Sequence, residues 1–195
     1  MLDNILKKYD VVLASKSPRR KELLGMLDVP FEIHVKDGID ESYPADMPAL
    51  EVAEFLSRLK GQAFAQDIKD NQMVITADTI VILDDKIYGK PKDENDAVDM
   101  LMQLQGRTHT VASGVCVATK EKIISFTTTT DVTFAPLSRE EATWYVEKYR
   151  PLDKAGAYGI QEWIGCAAVA GINGSFYNVM GLPVHQLYNV LKDEF

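Results

Sequence analysis

The stretch from Val11 to Leu27 constrains the fold most, because it reads as a strand, a tight turn and a helix in quick succession. Val11–Ala14 is a short, partly β-branched apolar run of strand length. Ser17 is a suitable helix N-cap, and Pro18 stands where proline is favoured, at the first helical position. The residues that follow, up to Leu27, place apolar side chains at helical spacing.

The first turn of this predicted helix carries an unusual charge. Arg19, Arg20 and Lys21 crowd a helix N-terminus that is already positive, where each cation costs roughly a few tenths of a kcal/mol. A bound anion would remove the conflict, since backbone N–H groups, the hydroxyls of Ser15 and Ser17 and two guanidinium groups would converge on a phosphate. The alternative is a solvated basic helix start.

Charge and composition narrow the class of partner. The chain has 195 residues, 46% of them hydrophobic, and a net charge of -8, which fits a globular protein and disfavours duplex nucleic acid as the main partner. A local basic cluster in an acidic protein suits a small polyanion better.

The cysteines and the N-terminal residues bear on the compartment. Cys116 and Cys166 stand apart in apolar or small-residue surroundings, so a disulfide framework is not expected, and with three scattered histidines a zinc site has little support. The first ten residues carry charges throughout, and no later apolar run reaches membrane-spanning length. We therefore expect a cytoplasmic protein with no membrane partner.

The rest of the chain alternates strands and helices, which predicts an α/β fold. Strands are predicted over 31–35, 73–83, 86–88, 108–119 and 123–134, and helices over 49–68, 94–105, 139–148 and from Pro183 onward. Asp84-Asp85 predicts a hairpin turn, and Ser138 with Glu141 predicts a capping box. Two long neighbouring strands indicate that the sheet is mixed rather than all parallel. The glycine-rich stretch 153–174 is predicted to form a loop, a strand and a turn.

Asp78 is the strongest candidate for catalysis. It interrupts an apolar run, where a carboxylate is costly unless it is paired, hydrogen-bonded or bound to a metal. It would be a general base or a metal ligand beside the Ser17–Arg20 turn; the alternative is a strand-end aspartate that accepts backbone N–H bonds. Glu41 would complete a pair of ligands for a hard cation, and Lys60 and Lys90, ordinarily solvated residues, would help to neutralise a triphosphate.

Gln161 is the candidate for recognition of a base. It ends the stretch Asp153–Gln161, and its amide offers both a donor and an acceptor, which matches the edge of uracil or thymine. The alternative is an ordinary surface amide. Tyr158 in the same stretch would either stack on a ligand or pack in the core.

These motifs together resemble one family. The segments that carry the resemblance are Leu13–Arg20, Ala77–Thr79, Gly89–Pro91, His109–Val111, Asp153–Gln161 and Gly174–Pro183. They look like the Maf family, the septum-formation-protein family of nucleoside triphosphate pyrophosphatases. The likeness runs from about Val11 to the last helix, with the motifs in the family's order. Thr76 departs from it, because the family usually has glycine there.

The resemblance implies a fold similar to inosine triphosphate pyrophosphatase, with a long mixed sheet, flanking helices and two lobes around a cleft, in a single domain over residues 1–195. It implies cleavage of a nucleoside triphosphate to monophosphate and diphosphate with Mg²⁺ or Mn²⁺, and a homodimer. The Asp153–Gln161 stretch looks like the branch that acts on dTTP and UTP rather than on 7-methyl-GTP. In the resemblance Asp78 is the proton acceptor, and Glu41, Lys60 and Lys90 match further catalytic positions. Asp78 and Glu41 would also be the metal ligands. Arg19, Thr79 and Gln161 fall at specificity positions, and the candidates for substrate binding are completed by Ser15, Ser17, Arg20 and Lys154.

Other classes of function remain open at this point. A nucleotide-responsive regulatory protein linked to cell division, without significant turnover, is the main alternative, and a nucleic-acid-binding role is weaker. The sequence has no Gly-x-x-x-x-Gly-Lys loop, no Gly-x-Gly-x-x-Gly and no Gly-x-Ser-x-Gly, so P-loop, dinucleotide-binding and serine-hydrolase readings have no support.

Overall fold

The protein is described by a computed structural model that covers residue 2, residues 7–65 and residues 67–195. The strands are β1 (Asp10–Leu13), β2 (Phe31–Ile33), β3 (Gln72–Leu83), β4 (Lys86–Tyr88), β5 (Thr108–Ala118), β6 (Ile123–Phe134) and β7 (Val169–Asn173). The helices are α1 (Pro18–Gly25), α2 (Ala49–Phe64), α3 (Glu94–Leu104), α4 (Arg139–Tyr149), α5 (Trp163–Ala167), α6 (Phe176–Met180) and α7 (Val184–Glu194), with a 3₁₀ turn over Ala155–Ala157.

The strands form one mixed sheet, which confirms the α/β prediction. Their order is β2-β1-β3-β5-β6-β7, and β4 pairs with β3 at the side of this path. β1 runs parallel to β2 and β3, whereas β3 with β4 and β6 with β7 are antiparallel. No helix in the described part of the chain combines the length and the apolar character that crossing a membrane requires.

Local sequence signals placed most element ends correctly. Ser17 caps α1, and Ser138 and Glu141 form the capping box of α4. Asp84 and Asp85 have φ values of 50° and 59°, the left-handed pair that a tight hairpin between β3 and β4 requires. Pro183 precedes α7, as predicted.

Some element ends differ from the prediction, and two short helices were not predicted. The strand predicted over 31–35 ends at Ile33. The helix predicted to end near Ile68 stops at Phe64; residue 66 lies outside the described residues. Two stretches of five residues are helical, at 163–167 and at 176–180. The first of them was predicted as part of a loop and strand. Five residues are too few to show a helical period in the sequence, so packing rather than pattern decides their conformation.

The chain divides into two compact units, each built from separate segments. Unit one comprises Met1–Asp78, Ser113–Thr128 and Gly181–Phe195, and unit two comprises Thr79–Ala112 and Thr129–Met180. One core cluster of unit one gathers Val12, Phe64, Ile68, Val74, Cys116 and Ala118. Unit two buries Leu101, Leu104, Phe134, Tyr145 and Ile164 completely or nearly so.

Helix α2 lies directly on the sheet of unit one because a glycine lets it approach. A Cβ atom on Gly114 of β5 would lie 2.2 Å from the carbonyl carbon and oxygen of Ala53 in α2. A Cβ atom on Gly61 of α2 would lie 2.8 Å from the Cys116 Sγ, two residues along β5 on the same face. The buried Thr76 hydroxyl of β3 donates to the Ser57 carbonyl of α2 over 2.6 Å. These contacts fix α2 in position on β3 and β5.

We expect Gly114→Ala to destabilise the protein by about 3 kcal/mol, the upper part of the range for overpacking, because backbone atoms of α2 cannot yield as a flexible side chain would. The free energy of unfolding from a denaturant titration measures this loss. Gly25→Ala is the matched control: Gly25 is exposed at the end of α1 and the added methyl meets open space, so stability should be kept or should rise by up to about 1 kcal/mol. Equal stability of the two variants would contradict the close packing of α2.

Thr76→Val keeps the side-chain volume and removes the hydroxyl, so we expect the free energy of unfolding to fall by about 1 kcal/mol. Thr76→Ser retains the donor and should keep the hydrogen bond to Ser57, at the cost of one methyl group. If the valine variant is as stable as the wild type, the bond between β3 and α2 contributes nothing to the fold.

Candidate active site

The turn between β1 and α1 is braced by its own hydroxyl groups. The backbone N–H of Ser17 donates to the Oγ of the buried Ser15 over 3.2 Å, and the Oγ of Ser17 accepts from the backbone N–H of Arg20 over 3.4 Å. Ala14 donates from its backbone to the Ile75 carbonyl over 2.9 Å, which ties the start of the turn to β3. The predicted strand, turn and helix are thus confirmed, with the basic first turn next to β3.

Arg20 links this turn to the strand that carries Asp78. Its Nη1 donates to the Ala77 carbonyl over 2.8 Å, and its Nε donates to the Gly181 carbonyl over 2.9 Å. Burial lowers the pKa of the Arg20 guanidinium, while the carboxylates of Asp78 and Glu41 act in the opposite direction. A guanidinium stays charged at neutral pH, so this part of unit one keeps a fixed positive charge beside two carboxylates.

Asp78 and Glu41 share one ammonium group. Lys60 Nζ lies 2.5 Å from Asp78 Oδ1 and 2.9 Å from Glu41 Oε2. The side chains of Lys60 and Asp78 are each 16% exposed, and that of Glu41 is 53% exposed. The negative charge that Asp78 places within an apolar strand is therefore balanced by the ammonium group of Lys60 from α2. Asp78 also lies near the basic start of α1, as the sequence predicted, since Arg20 binds the carbonyl of the preceding residue, Ala77.

The contact of α2 with β3 positions Lys60 against Asp78. Lys60 precedes Gly61, and Asp78 follows the buried Thr76 by two residues, so the Thr76–Ser57 hydrogen bond joins the two segments that carry the ion pair. Sequence reasoning did not assign this role to Thr76. The only signal was its departure from the glycine that the resembled family has at this position.

The remaining candidates lie in unit two. Thr79 is half-buried and follows Asp78 on β3, and Lys90 is exposed in the bend after β4. The backbone N–H of Gly156 donates to the Gly89 carbonyl over 3.0 Å, which joins the loop after α4 to the bend that carries Lys90. Gly156 has a φ of 66°, and a Cβ atom there would lie 2.8 Å from a methyl group of Val81.

Tyr158 packs in the core of unit two, which decides between its two predicted roles. Its hydroxyl lies 2.8 Å from His109 Nε2, and its ring makes edge-on contacts with His109 and Phe134. Burial lowers the pKa of His109 to about 4, so the imidazole is neutral at physiological pH. The pair is a structural link between β5 and the loop, and Gln161, three residues after Tyr158, is exposed.

The predicted residues thus fall into two groups. Unit one holds Ser15, Ser17, Arg19, Arg20, Glu41, Lys60 and Asp78, and unit two holds Thr79, Lys90, Lys154 and Gln161. Lys154 Nζ is engaged by two carboxylates, 2.8 Å from Asp153 and 3.2 Å from Glu162, with its side chain 10% exposed. Within the described residues, no group of three or more histidine, cysteine, aspartate or glutamate side chains is arranged to hold a metal ion.

Known proteins resemble this chain over almost its whole length. A protein of Porphyromonas gingivalis named dTTP/UTP pyrophosphatase is 53% identical over 195 residues, which cover 99% of this chain and 98% of its own. A Bacteroides thetaiotaomicron protein of the same name is 52% identical, with 98% of this chain and 99% of its own covered.

A solved structure shows the same fold. The Staphylococcus aureus Ham1 protein matches with a TM-score of 0.58 at 16% identity, over 95% of this chain and 100% of its own. The long mixed sheet with flanking helices that the resemblance implies is thereby confirmed. The model of the Maf-like protein family matches residues 10–194, almost the whole chain. On that match and on relatives of about half identity over their full length, this chain belongs to the Maf family.

Proposed function

We propose that this protein is a nucleoside triphosphate pyrophosphatase that hydrolyses dTTP and UTP to the nucleoside monophosphate and diphosphate. The observation that carries the proposal is the Lys60–Asp78 ion pair, held beside the basic first turn of α1. The name shared by the full-length relatives supports the choice of substrates.

Asp78 acts as the general base in this proposal. A water molecule attacks the α-phosphorus and gives a proton to the Asp78 carboxylate, and the bond from the α-phosphorus to the bridging oxygen breaks as diphosphate leaves. The ion pair with Lys60 holds the carboxylate in one orientation, with only 16% of its side chain exposed. General-base catalysis depends on such positioning within hydrogen-bond reach of the water.

Cationic and hydroxyl groups hold the triphosphate. Ser15, Ser17, Arg19 and Arg20 surround the start of α1, where backbone N–H groups and the helix dipole favour an anion. Lys60 and Lys90 stabilise charge on the diphosphate leaving group. Thr79 and Gln161, which the resemblance assigns to specificity, read the nucleoside.

The donor set of unit one fits a divalent cation. Asp78 and Glu41 each place a carboxylate oxygen against Lys60 Nζ. The two carboxylates therefore lie close enough together to offer ligands to one metal ion as well. Mg²⁺ typically takes one or two carboxylates and completes its shell with water and phosphate oxygens, which agrees with the two available here. Such a cation, Mg²⁺ or Mn²⁺, would offset the negative charge of the triphosphate.

Asp78→Asn should lower turnover of dTTP by about 10²–10⁴-fold, because the amide cannot accept the proton from water. Release of dTMP and diphosphate is measured with Mg²⁺ or Mn²⁺, with a chelator as the metal-free arm, and binding is followed by thermal stabilisation with dTTP. Asp85→Asn, at the exposed turn after the same strand, is the matched control and should keep wild-type turnover. Near-native activity of the Asp78 variant would remove its assigned role.

The same assay separates the enzyme from a binding protein. Stabilisation of the wild type by dTTP without any product would favour a nucleotide-responsive regulator, and the proposed activity would then be abandoned.

Gln161→Ala should reduce the preference for dTTP over dCTP by about tenfold, since thymine and cytosine present opposite donor and acceptor patterns to an amide. The ratio of kcat/KM for the two substrates measures this preference. Gln62→Ala, at another exposed glutamine, is the control that should leave it unchanged. Equal losses for both nucleotides would show that Gln161 does not read the base.

A further inference from the structure

A buried tyrosine in unit two holds the loop that carries Gln161. The Tyr145 hydroxyl of α4 donates to the Glu162 carboxylate and accepts from the backbone N–H of Gly159 over 3.0 Å. Lys154 Nζ lies 3.2 Å from the other oxygen of Glu162 and 2.8 Å from Asp153. We call Tyr145, Lys154 and Glu162 the loop clamp.

The loop clamp is largely shielded from water. Tyr145 is fully buried, and its ring stacks on Tyr149 and Trp163 with ring centroids 5.1 Å and 6.3 Å away. Burial raises the pKa of Tyr145, so its hydroxyl remains a donor throughout the physiological range. The side chains of Lys154 and Glu162 are 10% and 17% exposed. Polar contacts in such a low-dielectric setting are strong and fix geometry.

The loop clamp binds the loop before and after Gln161, at Gly159 and at Glu162. The backbone N–H of Glu162 donates to the Gly159 carbonyl over 3.0 Å, so residues 159–162 form a tight turn. Tyr145 binds one end of this turn through the Gly159 amide and the other through the Glu162 carboxylate. A Cβ atom on Gly159 would lie 3.1 Å from Gln161 Nε2, so the glutamine side chain lies back across the turn and moves with it.

We propose that Tyr145 is a positioning residue for base recognition, which fixes the Gln161 amide through Gly159 and Glu162 without touching the substrate. The inference rests on the proposed role of Gln161 in reading the base. Lys154 was predicted from the sequence to bind substrate. We assign it instead to the loop clamp. Its charge is already matched by Asp153 and Glu162, so it acts by holding the loop.

Tyr145→Phe keeps the stacked ring and removes the hydroxyl. We expect the preference for dTTP over dCTP to fall by about tenfold, mainly through a higher KM for dTTP, because a displaced amide no longer meets the base. In the Gln161→Ala background, Tyr145→Phe should cause no further loss of preference, since both changes remove the same recognition. Tyr149→Phe, on the ring stacked against Tyr145, is the matched control and should keep the preference.

Hydrogen exchange gives a readout that does not depend on activity. The Gly159 amide should exchange faster in Tyr145→Phe than in the wild type or in Tyr149→Phe, because its acceptor is gone. Glu162→Gln, which removes the ion pair with Lys154 while keeping an acceptor for Tyr145, is the second variant if Tyr145→Phe does not fold. It should lower the preference in the same direction, whereas the Gly159 amide, which keeps its acceptor on Tyr145, should exchange as in the wild type.

Three results would overturn the inference, and they are distinct from failure of the proposed function. Unchanged preference in Tyr145→Phe would exclude positioning, and additive loss with Gln161→Ala would show action by another route. An unchanged exchange rate at Gly159 in Tyr145→Phe would exclude the clamp whatever the kinetics show. If the wild type hydrolyses no nucleotide, the proposed function fails together with the substrate part of the inference, and the exchange experiment still tests the clamp by itself.

Discussion

The contact between Lys60 and Asp78 is the interaction on which the proposed chemistry of this protein depends. A carboxylate inside an apolar strand is tolerated because an ammonium group lies 2.5 Å away. That distance requires helix α2 and strand β3 to be held together. Gly114 lets the helix approach β5, and the Thr76 hydroxyl of β3 donates a hydrogen bond to the Ser57 carbonyl of α2. The packing of α2 on the sheet therefore also places the side chains of Lys60 and Asp78, the proposed catalytic groups, against each other.

The start of α1 complements this pair. Three consecutive cations at a helix N-terminus are unfavourable in isolation, yet Arg20 also donates to the Ala77 and Gly181 carbonyls and lies near the carboxylates of Asp78 and Glu41. The turn thus combines a structural brace with the positive charge that the proposed phosphate contacts require. Carbonyl and carboxylate groups from distant segments thus offset part of the cost of the Arg20 charge at this helix start.

Unit two contributes rigidity through buried polar contacts. The loop clamp, the Tyr158–His109 contact and the hydrogen bond from Gly156 to Gly89 all fix the stretch between residues 153 and 162. Exposed Gln161 is consequently carried by a loop whose backbone is anchored at several points. Such support suits the proposed role of Gln161, because recognition by hydrogen bonds is stronger when the donor and acceptor are in place before the substrate binds.

The sequence alone determined the strands, most helix ends and the chemical character of the candidate residues, because caps, turn residues and hydrophobic periods act between near neighbours. The Ser17 cap, the Ser138–Glu141 box and the Asp84-Asp85 turn are of this kind. Only the tertiary structure decided the partners: Lys60 and Asp78 are 18 residues apart, Arg20 and Ala77 are 57 apart, and Arg20 and Gly181 are 161 apart. The short helices at 163–167 and 176–180 and the Tyr145 contacts also escaped prediction. Packing between distant segments fixes these features, and no local pattern encodes which distant segments meet.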